Sequence, residues 1–404
     1  MLSVDEARRR ILDAMTPTAP ECVMLTEAAG RVLAAPVMAR RTQPPADLSA
    51  MDGYAVRAAD VADVPVELRL VGEIPAGGAY AERLGAGEAV RIFTGAPVPA
   101  GADAIVIQED TERPAPDRVR VLAASAVGRH IRRAGIDFRA GDPLLAAGTR
   151  LAARHIMLAA AADAPWLTVH RRPRVALLAT GDELVRPGEG VDPQAIVQSI
   201  TLALAAFVAA RGAMANDLGI ARDNRESLHR LIAGAAGADL LVTVGGASVG
   251  DYDLVRSGLA EIGLELDFWK IAQKPGKPLL FGRLGKTPMI GLPGNPVSAM
   301  VCALLYLGPA IDRLGGGTPR LPHRTMGRCA EDLPANGPRE AFLRAEIAGE
   351  VDGLPLLSVQ SLQDSSLQSA LVRADALLHR PADAPALKAG ASVSAFLLDP
   401  QPGA

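Results

Sequence analysis

The 404-residue chain has little cysteine and almost no surplus charge. Cys22, Cys302 and Cys329 are odd in number and far apart, which excludes a disulfide framework and a Cys-x-x-Cys metal site. Lys and Arg number 42 against 45 Asp and Glu, a net charge of −3, so general attraction to nucleic-acid phosphates is not expected. A local anion pocket stays open. The longest apolar runs, 202–210 and 299–307, are too short to cross a bilayer. The start, MLSVDEARRR, lacks the apolar stretch of a signal peptide. GxGxxG, HExxH and calcium-loop patterns are missing, and the six histidines show no ligand spacing. These absences predict a soluble cytoplasmic protein with neither a membrane nor a nucleic-acid partner.

The 40 glycines and 31 prolines are too many for a helix bundle and predict turns and short strands. The fold class expected is multidomain α/β plus β, in four stretches. Residues 1–42 and 139–171 read as one helical, linking domain, opened by the capping pattern Ser3-Val-Asp-Glu6 with Val4, Ala7, Ile11 and Leu12 on one face. Residues 43–138 hold short Val/Ile/Leu runs cut by Gly and Pro, an inserted β domain. Residues 172–315 alternate strand and helix in a doubly wound pattern, with buried strands at 174–179, 239–244 and 288–292. Asn295-Pro296 opens a helix, Asn as N-cap and Pro at the first helical position. Residues 316–404 return to β segments.

Ligands of open α/β sheets sit outside the carboxyl ends of the strands. Three such ends carry glycine: Thr180-Gly181-Asp182-Glu183, Gly245-Gly246-Ala-Ser248-Val-Gly250-Asp-Tyr-Asp253, and Pro293-Gly294-Asn295-Pro296-Val-Ser298. Glycines admit backbone N–H groups to an anion, and a helix start offers unpaired N–H groups. Lys270, Lys274 and Lys277 add positive charge on a segment that its prolines should hold extended. Carboxylates beside such a site, here Asp182, Glu183, Asp223, Asp251 and Asp253, usually hold Mg²⁺.

Bland readings compete. Any one of these turns is most often only a tight turn, the lysine segment alone a solvated loop, and an acid after a strand a helix cap. Their joint placement on one sheet edge weakens that reading. Gly246-Ala-Ser248-Val-Gly250 matches a hydrolase nucleophile elbow, but the only downstream histidines, His323 and His379, fall outside the α/β unit. Gly285-Lys286-Thr287 resembles the end of a phosphate loop whose first glycine is replaced by Leu280. The basic stretches 129–133 and 170–174 read as solvated or inter-domain. Asp52 and the Gly/Pro-dense loop after Phe93 look structural on composition alone.

MDGYAV (51–56), RIFTGAPVPAGADAIV (91–106), RRAGIDF (132–138), TGDEL (180–184), GGASVGDYD (245–253), KPGKP (274–278) and GLPGNPVSA (291–299) together resemble the molybdopterin molybdenumtransferase family, which includes the E domain of gephyrin. The resemblance covers nearly the whole chain. It implies an enzyme that takes adenylylated molybdopterin and molybdate and, with Mg²⁺, yields molybdenum cofactor and AMP. It implies catalytic roles for Asp52, Thr94, Glu183, Asp223, Asp253, Lys270 and Lys274, with Glu183, Asp223 and Asp253 on the metal. Substrate binding would fall to Thr180, Gly181, Asp182, Gly245, Gly246, Ser248, Gly250, Lys277, Gly294, Asn295, Pro296, Ser298 and an arginine of the last domain, Arg344 first and Arg339 second. It also implies a homodimer with a shared site, Asp52 and Thr94 facing the partner's α/β domain. A molybdopterin adenylyltransferase and apo-molybdoenzymes would be its protein partners.

Two stretches depart from the family pattern. Gln198-Ser199-Ile200 stands where Asp-Ser/Thr-Asn is usual, and Gln360-Ser361-Leu362-Gln363-Asp364-Ser365 where Thr-Gly-x-Gln-x-Ser is usual. They motivate an alternative, a molybdopterin-binding or scaffold paralogue with reduced turnover.

Overall fold

A computed structural model describes residues 1–75, 77–189, 193–245 and 254–398. The α/β sheet has six strands, in the order Met214–Ala221, Arg174–Thr180, Leu240–Val244, Thr287–Leu292, Leu280–Leu284, Leu264–Phe268. The first four are mutually parallel. Alternate residues of one strand point to opposite faces. Val175 and Leu177 accordingly join the core beneath helices Ile200–Ala210 and Pro296–Leu314, while Ala176 and Leu178 join the core beneath helix Arg225–Ala233.

The last two strands run antiparallel to their neighbours, so the sheet is mixed rather than wholly parallel. The reason lies in Gly285-Lys286. Leu284 pairs with Thr287 and Gly285 has φ +59°, so the chain reverses in two residues, too short for the crossover a parallel pair needs. The sequence that resembled a phosphate loop is this hairpin turn.

The helical run Pro296–Leu314 is long and apolar enough to span a bilayer, but 83% of it is buried inside the protein, as a core helix is. Helix Val4–Asp13 is capped as expected, Ser3 Oγ accepting the Glu6 N–H at 3.2 Å. Its face of Val4, Ala7 and Ile11 enters the α/β core, whereas Leu12 stays half-buried.

The chain leaves for the β insert and returns as two antiparallel arms. Pro20–Met24 pairs with Trp166–His170, Val37–Met38 with Pro143–Leu145, and Leu48–Ser49 with Ile131–Arg132. This linking region is therefore more extended than its helical reading, with helix Ala153–Ala161 packed on the ladder. The insert is a six-stranded sheet, ordered Ala104–Ile107, Gly53–Val56, Glu88–Ile92, Val66–Ile74, Arg118–Val121, Thr111–Ala115. The C-terminal strands close into a barrel, because Glu340–Val351 pairs with both Leu354–Val359 and Ala376–Arg380. Gln273–Lys274 from the α/β domain adds in parallel to the start of Glu340–Val351. That short ladder fastens the lysine segment to the barrel.

Candidate functional site

The parallel register sets the strand ends level: Thr180 lies opposite Ala221, Ala179 opposite Val244, and Val244 opposite Leu292. The turns after these ends open onto one cavity of about 800 Å³. Thr180, Gly181, Glu183, Asp223, Gly245, Lys274, Lys277, Gly294, Asn295, Pro296 and Ser298 all line it. Gly245 is demanded by the backbone. Its φ is +91°, and a Cβ there would lie 2.8 Å from the Thr180 carbonyl oxygen.

Glu183 and Asp223 present carboxylates, and Lys274 and Lys277 present exposed ammonium groups. Among the described residues none of the four side chains has a hydrogen-bond or ion-pair partner, although both signs occur on one wall. Charges of both signs therefore face one space without being spent on each other. Asp182 does not line the cavity. Its Oδ1 accepts the Asp223 N–H at 3.0 Å, and Arg222 donates to the carbonyls of Asp182 (2.8 Å) and Leu184 (3.2 Å). Asp182 therefore holds the Asp223 turn in place. Ser298 is buried on the cavity wall.

Lys270 is absent from the wall; its Nζ lies 4.4 Å from the centre of the Trp269 ring. The lysine segment is not extended as its prolines suggested. It folds back, the Ile271 N–H donating to the Lys277 carbonyl at 3.0 Å, with Gly276 at φ +102°. This places Lys274 and Lys277 on the same wall. Gly246, Ser248, Gly250, Asp251 and Asp253 lie outside the described residues.

The C-terminal barrel closes the far side with Arg339, Gln363, Asp364, Ser365 and Gln368. Arg344, the first-choice arginine, is buried at 1% exposure and lines no cavity. It donates to the carbonyls of Leu362 (2.8 Å) and Asp364 (3.0 Å), so it shapes the loop instead of reaching the cavity. Arg339 stands on the wall. Which of the two faces the cavity follows from how the barrel closes, and the resemblance that put Arg344 first does not report closure. Gln363, Asp364 and Gln368 were missed as wall residues for the same reason, since the turn that brings them in leaves no periodic signal.

The two departures from the family pattern are structurally accommodated. The Gln198 carboxamide oxygen accepts from the N–H groups of Ile200 (2.5 Å) and Thr201 (3.3 Å), which caps helix Ile200–Ala210. Ser199 Oγ donates to Gln368 Oε1 at 3.2 Å, and Asn295 Nδ2 to Ser365 Oγ at 2.9 Å, tying the barrel loop across the cavity.

Asp52 and Thr94 are not on this wall. They lie together on the β insert, where Thr94 N–H and Oγ1 donate to Asp52 Oδ1 at 2.7 and 2.8 Å. These bonds, with the charge of Arg91, hold the Asp52 carboxyl below the usual range. Of the hydrolase histidines, His379 bonds Glu340 at 3.0 Å and stacks on Phe342, away from the cavity. No histidine lines the cavity.

Three family descriptions match successive parts of the chain. Residues 2–162 match the MoeA N-terminal region (domain I and II), 176–313 a probable molybdopterin binding domain, and 326–398 the MoeA C-terminal region (domain IV). The molybdopterin molybdenumtransferase of Nostoc sp. is 41% identical over 343 residues, 83% of this chain and 78% of that protein. Molybdopterin molybdenumtransferase 1 of Mycobacterium tuberculosis is 33% identical over 98% of this chain and 99% of its own. The molybdopterin biosynthesis moeA crystal structure from Pyrococcus horikoshii superposes with a TM-score of 0.86 at 30% identity, covering 99% of this chain and 100% of that one. With sequence identity, domain order and a glycine-framed charged cavity in agreement along its length, the chain belongs to the molybdopterin molybdenumtransferase (MoeA) family.

Proposed function

We propose that the protein transfers molybdenum from molybdate into adenylylated molybdopterin and releases AMP. The observation that carries this reading is the single cavity in which Lys274 and Lys277 face the same space as Glu183 and Asp223, all four unpaired among the described residues. The lysines and the helix start at Pro296 attract anions, here the pterin phosphate and the molybdate dianion. The protein's contribution is to position these anions and stabilise charge as a molybdate oxygen or water attacks the adenylate phosphorus, the bridging P–O bond to the pterin phosphate breaks, and AMP leaves. No side chain need act as nucleophile. Ser298 and Arg339 contact the oxyanion.

Two free carboxylates beside a phosphate site suit Mg²⁺, which binds through one or two carboxylates and keeps several waters. Glu183 and Asp223 would hold it, with Asp253 as the third acid of the reading. The ion would neutralise charge on the adenylate phosphate. We also propose that the protein works in the cytoplasm as a homodimer, in which Asp52 and Thr94 complete the partner's cavity. Its substrate would come from a molybdopterin adenylyltransferase and its product pass to apo-molybdoenzymes.

Purified protein incubated with adenylylated molybdopterin, Mg²⁺ and molybdate is expected to release AMP and form cofactor that activates an apo-molybdoenzyme. AMP release no greater than in a protein-free control would overturn the reading. The scaffold alternative, motivated by Gln198-Ser199-Ile200 and Gln360-Ser361, instead predicts tight molybdopterin binding without AMP release.

A further inference from the structure

Behind the folded-back lysine segment lies a buried polar group that the proposed chemistry does not use. Gln273, Tyr306 and Cys302 are each 0% exposed. Tyr306 Oη donates to Gln273 Oε1 at 2.6 Å. Gln273 Nε2 donates to the Pro275 carbonyl at 2.7 Å and faces Cys302 Sγ at 3.6 Å. One carboxamide thus has its acceptor and both donors engaged, and one of those bonds seizes the backbone between Lys274 and Lys277. The fit leaves no slack: a Cβ on Gly276 would lie 2.6 Å from Cys302 Sγ and 2.7 Å from Gln273 Nε2.

Tyr306 reaches this point because residues Ala303–Leu307 form a π-helical turn inside the long core helix. The wider turn changes the angular position of the later helical residues, and such turns are rare enough to mark a local demand. Pairing two polar side chains in a core is costly unless both are satisfied. An apolar pair would fill the same space, yet would leave the Pro275 carbonyl unheld.

We propose that Tyr306 and Gln273 are positioning residues, which act through the Pro275 carbonyl to set where Lys274 and Lys277 meet an oxyanion. The inference rests on the reading of those lysines as the anion-binding wall. The core side of the segment fixes the loop, and the solvent side is left free to bind. Tyr306 and Gln273 touch no ligand themselves.

Two variants separate positioning from stability. Tyr306→Phe removes only the hydroxyl. The pair Gln273→Met with Tyr306→Phe replaces both polar partners by apolar ones, so neither is orphaned by the other, and the Pro275 carbonyl is released. Calorimetric titration with inorganic molybdate is expected to show binding weakened about tenfold in both, the scale of one lost hydrogen bond. In a Lys274→Ala, Lys277→Ala background the Tyr306→Phe effect on binding should vanish, since residues acting through one another are non-additive. Wild-type molybdate affinity in the paired variant, or an undiminished effect without the lysines, overturns the proposal.

A second measurement needs no ligand. Amide exchange at Ile271, whose N–H is held by the Lys277 carbonyl, is expected to quicken in both variants. Unchanged protection there also overturns the proposal. Absence of AMP release by the wild type would instead sink the transferase reading and leave this exchange result standing.

Discussion

Thr94 holds one oxygen of Asp52 twice, through its amide at 2.7 Å and its hydroxyl at 2.8 Å, on a domain none of whose described residues lines the cavity of its own chain. A carboxylate so held stays ionised and aimed, with its second oxygen free to serve another surface. If that surface is the partner's cavity, Asp52→Asn and Glu183→Gln should each be nearly inactive alone at Mg²⁺ far below the concentration that Glu183→Gln needs. Mixed after subunit exchange, they should recover up to about a quarter of wild-type activity, because hybrid dimers contain one intact site. Mass spectrometry would verify exchange. No recovery despite verified hybrids would rule out the shared site.

Arg339 and Arg344 should fail in different ways. Arg339→Ala removes a cation from the cavity wall, so the KM for molybdate should rise about tenfold with little change in melting temperature. Arg344→Ala strips the donors from the carbonyls of Leu362 and Asp364. It should cost about 1–3 kcal/mol of stability, because a buried side chain and the hydrogen bonds that hold this loop are lost together. Paired melting curves and kinetics decide between them; the opposite pattern would return the substrate role to Arg344.

The carboxylates make a separate prediction. Glu183→Gln and Asp223→Asn keep shape and remove charge, so each should raise the Mg²⁺ concentration needed for half-maximal AMP release by about tenfold or more. Molybdopterin binding measured without Mg²⁺ should be unchanged or tighter, since repulsion of the phosphates is relieved. A Mg²⁺ requirement equal to wild type in both variants would remove these residues from the metal.

The legible part of this protein was whatever the chain writes locally. Continuous apolar runs marked the strand Arg174–Thr180 and its neighbours, Ser3 marked a helix start, and Asn295-Pro296 marked another. The glycine-bearing strand ends then converged, because parallel register leaves them no other place to go. The hidden part depended on pairing across distance. The hairpin at Gly285 put antiparallel strands into the sheet, and the linking arms became ladders only because each found its partner more than eighty residues away. The inward turn of residues 363–368 and the outward face of Arg339 depend on how the barrel closes. No periodicity reports closure.

Helix Val4–Asp13 carries a pH signature. Hydrogen bonds from Arg9, then from Arg10, lower the Glu6 carboxyl from 4.5 to about 2. A folded value below the unfolded one adds stability above about pH 4.5, lost as pH falls from there toward about 2. The carboxyl resonance of Glu6 should accordingly titrate well below that of a free glutamate. The Arg9 contact is exposed and the Arg10 contact only part-buried, so the effect on global stability should be slight and should shrink in high salt. A Glu6 midpoint near 4.5 would show that the pairs do not persist in solution.

Asp312 is fully buried and accepts from three arginines of different segments: Arg150 of the linking arm at 2.9 Å, Arg211 after helix Ile200–Ala210 at 3.0 Å, and Arg320 of the run into the barrel at 2.9 Å. One carboxylate thus joins three parts of the chain. Desolvation first, then repulsion from Arg320, holds Arg150 and Arg211 below the usual arginine range, and the charge of Asp312 opposes that shift. Asp312→Asn keeps the shape but strands the guanidinium groups, and should cost about 3–5 kcal/mol, the scale for breaking a buried pair. Arg320→Ala removes the most exposed of the three and relieves repulsion, so it should cost at most about 1 kcal/mol. Urea unfolding should show the Asp312→Asn midpoint falling with an unchanged slope if the domains still unfold together. If Asp312→Asn costs no more than Arg320→Ala, the node is not what joins the linking arm, the α/β domain and the barrel.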